Sequence, residues 1–370
     1  MIEKSSISNI EEAKIFIDGC TLLGVGGGGN PAEGLKVLSE ALEIKGEITW
    51  VNVDEIDDDA VAICTFLMGS TAPLTEDKER QMVTLGLTDK KYPKNMMNAV
   101  KEWEEYTKKN VDIIVALEVG GSNLPIPMAI AKMLDKTIVD GDYAGRAIPE
   151  IFQISLMTED VNFCPAVSFD KFGNICIMKD ALSLTLAERI GKYLSEVSFG
   201  STALAGFPVT GKQLKRLLVR GSISKAYEVG KLLNGAKKEK GTLASKLKTS
   251  GMKRIFRGIV IKKEWKDEAG YYMGIHTLKG IQDFEGHELK MYFKNETHIA
   301  WIDGEYIVSS PDLICTIEPN LIKPLRNDDI VEGNDIEIYV ASCNPILKAE
   351  QVIKYLEPKY FGFDIEYKEI

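Results

Sequence analysis

Histidine is scarce. Only three occur in 370 residues, His276, His287 and His298. None has a partner at H-x-x-x-H or H-E-x-x-H spacing, so neither a histidine-rich zinc hydrolase nor a histidine-containing triad can be assembled from the sequence. The six cysteines (20, 64, 164, 176, 315 and 343) are dispersed without a C-x-x-C pair. This predicts reduced, mostly buried thiols rather than a disulfide framework or a zinc knuckle. Basic charge is in deficit: 45 Lys and Arg stand against 55 Asp and Glu, a net charge of −10. A general nucleic-acid binder needs a basic face and is not expected. No apolar run approaches the roughly 20 residues that span a bilayer. The first residues, MIEKSSISNIEEAKIF, lack an apolar core followed by a small-residue cleavage site. A secretory signal is therefore not expected, and a cytoplasmic, membrane-free protein is.

Apolar residues make up 45% and charged residues 27% of the chain, enough to bury a full core. The length predicts two domains. SNIEEAKIFIDGCTLLG reads as a helix capped by Ser8 or Asn9, and PAEGLKVLSEALEI as a second that starts at Pro31. ITWVNVDEI, AVAICTFLMG, VDIIVALEVGG and TIVDGD read as strands, with a helix, IPMAIAKMLD, between the last two. That order predicts an α/β fold with a mainly parallel sheet, whose ligands collect beyond the carboxyl ends of the strands. After about residue 165 the texture changes. FDKFGNICI reads as a hairpin, helices are expected near 182–197 and 211–234, and short β-rich runs dominate from 255. The expectation is an N-terminal α/β domain over 1–165 and a strand-rich α+β domain with two helices over 166–370.

Four segments can carry chemistry. Gly24–Gly29 with Asn30-Pro31 joins two helices, so it is not the strand–turn–helix fingerprint of a dinucleotide site, and no Walker lysine follows. No nucleotide is expected. Four consecutive glycines exceed what a tight turn needs, since each costs ~0.5–1 kcal/mol of ordering relative to alanine. The N–H groups of Gly26, Gly27, Gly28 and Gly29 can converge on an anion at the start of the second helix. Met68-Gly-Ser-Thr-Ala-Pro73 offers Ser70 as a ligand-binding or nucleophilic hydroxyl, without the Gly-x-Ser-x-Gly elbow. It serves equally as a helix-start loop. Glu118 ends a buried strand, with Asn123 in the loop beyond; a carboxylate there must be paired, metal-bound or functional. Asp140 and Asp142, at spacing two on an extended segment, point to one side, and Arg146 follows. They can act as acid and base, can bind a divalent metal with Glu118, or can simply fix a loop through an Asp–Arg pair.

LGVGGGGNP at 23–31, MGSTAP at 68–73 and EVGGSNLPIPMAIAKMLDKTIVDGDYAGRAIPE at 118–150 resemble the S-methyl thiohydantoin desulfurase family. So do KNETHIAWIDGE at 294–305, SPDLI at 310–314 and PKYFGFDIEY at 358–367. The likeness spans nearly the whole chain, with departures at Asn30, where an aspartate is expected, and at Gly141, where an alanine is expected. It implies hydrolytic removal of sulfur from a thiohydantoin ring to give a hydantoin, and association with hydantoinase or oxoprolinase partners. On that reading Asp140 or Asp142 is the base or a metal ligand, and Glu118 its partner. Arg146 and the glycine N–H groups steady charge, Asn123 holds the amide edge of the ring, and Asn295 and Glu296 close the site from the second domain. A small cyclic amide is the expected substrate and a homo-oligomer the expected state. A non-catalytic partner of a hydantoinase, and a phosphate- or acyl-transferring enzyme using the glycine turn, are the alternatives.

Overall fold

A computed structural model describes residues 6–69, 74–87, 95–159, 161–239 and 241–370. The chain opens with strand β1 (Ser6–Ile7), which pairs with β2 (Ile48–Thr49). Between them lie helices α1 (Ile10–Leu23) and α2 (Pro31–Lys45). Asn9 caps α1 by accepting from the Glu12 N–H at 2.9 Å, and Asn30 caps α2 by accepting from the Ala32 N–H at 2.9 Å. Each cap satisfies a helix N–H that has no partner within the helix. The departure at Asn30 thus keeps the helix start intact.

Seven strands form the first sheet: β3 (Val61–Gly69), β4 (Ile113–Ala116), β5 (Thr137–Asp142), β6 (Ala166–Asp170), β7 (Ile175–Met178), β8 (Ser201–Thr210) and β9 (Val219–Arg220). Their order is β7-β6-β8-β3-β4-β5-β9. β3, β4 and β5 are parallel, and Val51 adds a parallel bridge to Val139. β6 to β9 all join antiparallel. Residue 165 therefore separates the parallel strands from the antiparallel ones within a single sheet. Four helices accompany these strands: α3 (Glu76–Thr84), α4 (Asn95–Thr107), α5 (Pro125–Met133) and α6 (Leu184–Val197). After β8 come α7 (Gly211–Leu217), α8 (Ser222–Lys238) and α9 (Leu243–Thr249).

Two local expectations change, and one strand was not expected at all. The helix expected over 211–234 is two helices, α7 and α8, separated by β9. ITWVNVDEI is extended only in part, since Val53–Glu55 forms a single helical turn. β8 escapes a sequence reading because STALAGFPVT carries Gly206 and Pro208. Its pairing with β3 slips between Ala62 and Cys64, and Phe207 has φ +52°.

From residue 253 the chain builds an eight-stranded sheet, antiparallel throughout. Its strands are β10 (Lys253–Glu268), β11 (Tyr271–Gly280), β12 (Glu288–Lys294), β13 (Glu296–Ile302), β14 (Glu305–Ser309), β15 (Leu313–Glu318), β16 (Lys323–Pro324) and β17 (Asp335–Ala341). A last short helix, α10 (Glu350–Ile353), precedes the C-terminal segment. The period-two rule divides β15 between two cores. Leu313, Cys315 and Ile317 join the large core that also holds α1 and the first sheet, whereas Ile314 packs with Phe256, Leu289 and Ile338 in the second. One apolar core thus runs across both halves of the chain, which places residues of β13 against the loops of the first sheet. Among the described residues no helix is long and apolar enough to cross a membrane.

Candidate functional site

The glycine turn is where the halves meet. Gly26, Gly28 and Gly29 have φ of +93°, +78° and +80°, angles that other L-residues rarely adopt. A Cβ on Gly28 would lie 2.4 Å from the Gly120 Cα, so the turn interlocks with the Gly120-Gly121 turn after β4. From the other side, the Thr297 N–H donates to Val25 O at 2.8 Å and the Asn327 N–H to Gly26 O at 2.7 Å. A Cβ on Gly27 would fall 1.9 Å from Glu296 Oε1. The turn does receive an anion, but that anion is the protein's own Glu296 carboxylate. The Gly28 N–H bonds to it, and the Gly27 N–H is committed to Gly24 O at 2.8 Å.

Gly28 and Gly29 open onto a cleft of about 300 Å³ lined also by Glu118, Ser122, Asn123, Glu150, Glu188, Lys192, Asn295 and Glu296. It lies beyond the carboxyl ends of β3 and β4, where an open α/β sheet places its ligands. Glu118 is buried. Its carboxylate accepts from the Ile148 N–H and from the Asn123 side-chain amide. Burial and the neighbouring Glu296 push its pKa well up. Glu296 is buried too and is pushed up to about 7, with burial the main cause and the Arg146 and Lys192 charges holding it down. Two like charges in one dry site cannot both form cheaply, so at neutral pH the pair holds at least one proton, more readily on Glu118. Among the described residues, Glu296 Oε2 has no hydrogen-bond partner. A buried oxygen without a donor is costly, and a ligand proton or water would satisfy it.

The other expected acidic residues do different work. Asp140 and Asp142 do point to one side, as their spacing requires, but that side is the start of α8. Asp140 Oδ1 accepts from the Ile223 and Ser224 N–H groups, both at 3.0 Å, and Oδ2 from the Ser224 hydroxyl at 2.6 Å. Asp142 accepts from the Ser222 hydroxyl and from the Gly145 and Ala144 N–H groups at 2.7 and 3.2 Å. Burial pushes Asp142 up to about 7, and these donors act against that. Neither carboxylate lines the cleft. A metal site from Glu118, Asp140 and Asp142 does not form, and among the described residues no group of three or more His, Cys, Asp or Glu side chains could hold a metal.

Arg146 is likewise outside the cleft. It is fully buried and donates to four backbone carbonyls: Ala147 at 3.0 Å, Thr297 at 3.1 Å, Pro311 at 3.2 Å and Asp312 at 3.0 Å. It stitches the two halves together, and its charge reaches the site only through Glu296. Asn295 lines the cleft, but its side-chain oxygen is committed to the Tyr272 N–H at 2.9 Å. Gly26 packs against the Asn327 side chain instead. Ser70 lies outside the described residues. Gly141 is explained by packing: a Cβ there would fall 2.5 Å from the Leu218 side chain and 2.7 Å from Val219 O.

One group escaped the sequence reading. The Tyr271 hydroxyl donates to Glu188 at 3.1 Å and Glu150 at 3.3 Å, and the Lys192 and Lys294 ammoniums lie 4.2 and 4.1 Å from its ring centre. Lys294 pairs with Glu150 at 3.1 Å, and Lys192 with Glu188 at 3.8 Å. This charged wall bounds one side of the cleft. Its only trace in the sequence is the i,i+4 pair Glu188–Lys192, which reads as an ordinary surface pair.

Residues 11–180 match the S-Me-THD-like N-terminal domain, and residues 183–370 the S-Me-THD-like C-terminal domain. No curated protein matches the chain. Among solved structures, the X-ray crystal structure of a protein from Chromobacterium violaceum is similar over 99% of both chains. Its TM-score is 0.76 at 18% identity, a likeness of fold. Two successive domain matches covering almost every residue, in the order the motifs run, place the chain in the S-Me-THD-like family, the S-methyl thiohydantoin desulfurase family its motifs resemble.

Proposed function

We propose that this chain hydrolyses the carbon–sulfur bond of a small S-alkyl thiohydantoin, with Glu296 as proton acceptor and Glu118 as its protonated partner. The observation that carries the reading is the carboxylate pair. Two buried glutamates line one cleft, and among the described residues Glu296 keeps an oxygen without a donor. A base with a pKa near 7 is well matched to work at neutral pH. The family name supplies the ring class, and a cleft of about 300 Å³ suits a five-membered ring with small substituents. Asn123 and Ser122 offer polar groups to its amide edge.

Water adds to the ring carbon that carries sulfur, losing a proton to Glu296 as the C–O bond forms. The C–S bond breaks and the sulfur leaves as a thiol, protonated from the glutamate pair. One water is consumed. Its oxygen becomes the ring carbonyl, one of its protons ends on sulfur and the other on a ring nitrogen. The test is thiol release from a series of S-alkyl thiohydantoins by the native protein and by Glu296→Gln. Release by the native protein alone is expected. No release by the native protein, or undiminished release by the variant, overturns the assignment.

A further inference from the structure

Helix α6 is built inside out. Its buried positions are Ala187, Glu188, Gly191, Lys192 and Ser195, all small or charged. They face inward because Glu188 and Lys192 line the cleft and Gly191 admits Met68, whose sulfur would lie 2.3 Å from a Cβ there. Leu184 and Leu194 are half-buried, and four other large apolar residues are left outside. Leu186, Ile190, Tyr193 and Val197 are 42, 44, 55 and 72% exposed. A surface helix of a finished globular protein turns its apolar stripe the other way. The patch continues onto β7, the outer strand of the seven-stranded sheet, where Ile175 and Ile177 are also exposed and Ile177 lines one groove with Ile190. An apolar edge strand beside an apolar helix face is a surface that proteins cover.

The spacing of the stripe identifies its cover. Positions 186, 190, 193 and 197 are separated by four, three and four residues, a pattern that reads the same in both directions. An antiparallel copy of α6 sets Leu186 opposite Val197 and Ile190 opposite Tyr193, the self-complementarity of a two-fold interface. The exposed charges beside the stripe have opposite signs, Arg189 and Glu196. The same two-fold brings Arg189 of one copy to within about 3 Å, measured along the helix axis, of the level of Glu196 of the other. We propose that the chain forms a two-fold dimer through α6 and β7. A second cleft of about 370 Å³ is lined by Leu186, Tyr193, Tyr271 and Tyr360 on this face. It shares Glu150, Glu188 and Lys192 with the candidate active cleft, so the dimer covers the outer side of the helix that carries two cleft residues.

Sedimentation velocity and light scattering of the full chain over a wide concentration range test this, independently of any activity. The expected species has twice the 41.0 kDa chain mass. Leu186→Glu with Val197→Glu introduces like charges into the contact and raises the dissociation constant by about 100-fold or more, with the circular dichroism spectrum unchanged. Arg189→Glu alone weakens the dimer, and adding Glu196→Arg restores it. A native chain that stays monomeric throughout overturns the proposal. So does an oligomer that resists the double glutamate variant, or a charge swap that fails to restore what the single change removes.

Discussion

Asp142 and Glu296 are both buried carboxylates pushed up to about 7 by desolvation, yet their surroundings differ. Asp142 sits at the start of α8 and accepts from one hydroxyl and two backbone N–H groups. It has its donors and does not line the cleft. Glu296 sits under the glycine turn and lines the cleft beside Glu118, with one oxygen unpartnered among the described residues. A raised pKa alone therefore does not mark a catalytic group. A place in the cleft lining together with unmet hydrogen-bonding capacity singles Glu296 out, because such a group can exchange a proton with a ligand without first breaking the fold.

The largest expected effect falls on the Glu296 side. Glu296→Gln should lower kcat/KM by about 10²–10⁴-fold, the range that a positioned general base supplies. The native rate should rise with pH through about 7, as Glu296 loses its proton. An unchanged rate in the variant would erase the distinction between the two carboxylates.

Stability should move the opposite way. The folded protein holds the Glu296 proton up to about 7, whereas an unfolded glutamate releases it near 4.5. Between those values the native state binds more protons than the unfolded state, so stability falls as pH rises through the window. For a single group the full difference is about 3 kcal/mol, from 1.36 kcal/mol per unit. Glu296→Gln removes that contribution. The variant should melt above the native protein at pH 8 and close to it at pH 4, as differential scanning calorimetry would show. Equal melting temperatures at both values would mean that the carboxylate is not desolvated.

Asp142→Asn sharpens the contrast from the structural side. An amide turned to accept from Gly145 and Ala144 points its NH₂ at the Ser222 hydroxyl, and turned the other way it faces the two N–H groups. Ser222 can rotate to accept from an amide but also serves Val219 O at 3.0 Å, so one interaction is lost in either case. A loss of about 1–3 kcal/mol in urea unfolding is expected, with kcat/KM of the folded protein unchanged within a few-fold. A dead but fully stable variant would restore Asp142 to the chemistry.

The α/β class, the parallel strands β3 to β5, the β6–β7 hairpin and the strand-rich C-terminal sheet were legible because each has a local period or turn signal. β8 was not, because Gly206 and Pro208 hide a strand that long-range pairing with β3 creates. The site was half legible. Glu118, Asn123, Asn295, Glu296, Gly28 and Gly29 do share one cleft, but a spacing of two told only that Asp140 and Asp142 face the same way, not what they face. Apart from the Ala144 and Gly145 N–H groups beside Asp142, the donors that claim them come from Ser222, Ile223 and Ser224, some eighty residues on. Likewise the glycine turn announced an anion without saying that Glu296 would supply it.

Asp140 gives the smallest effect and the cleanest separation. Its carboxylate bonds Ile223 and Ser224 N–H groups and so does for α8 what a capping side chain does, from another element of the chain. The residue before the helix, Gly221, has no side chain to cap with. Asp140→Ala should therefore cost about 1–2 kcal/mol, as the loss of a cap does. Exchange of the first α8 amides should quicken more than exchange elsewhere in the sheet, since the damage is confined to the helix start. Activity should persist, because Asp140 does not line the cleft. If hydrogen exchange at α8 is unmoved while turnover fails, Asp140 belongs with Glu296, and the division between carboxylates that hold the fold and carboxylates that meet the ligand has been drawn in the wrong place.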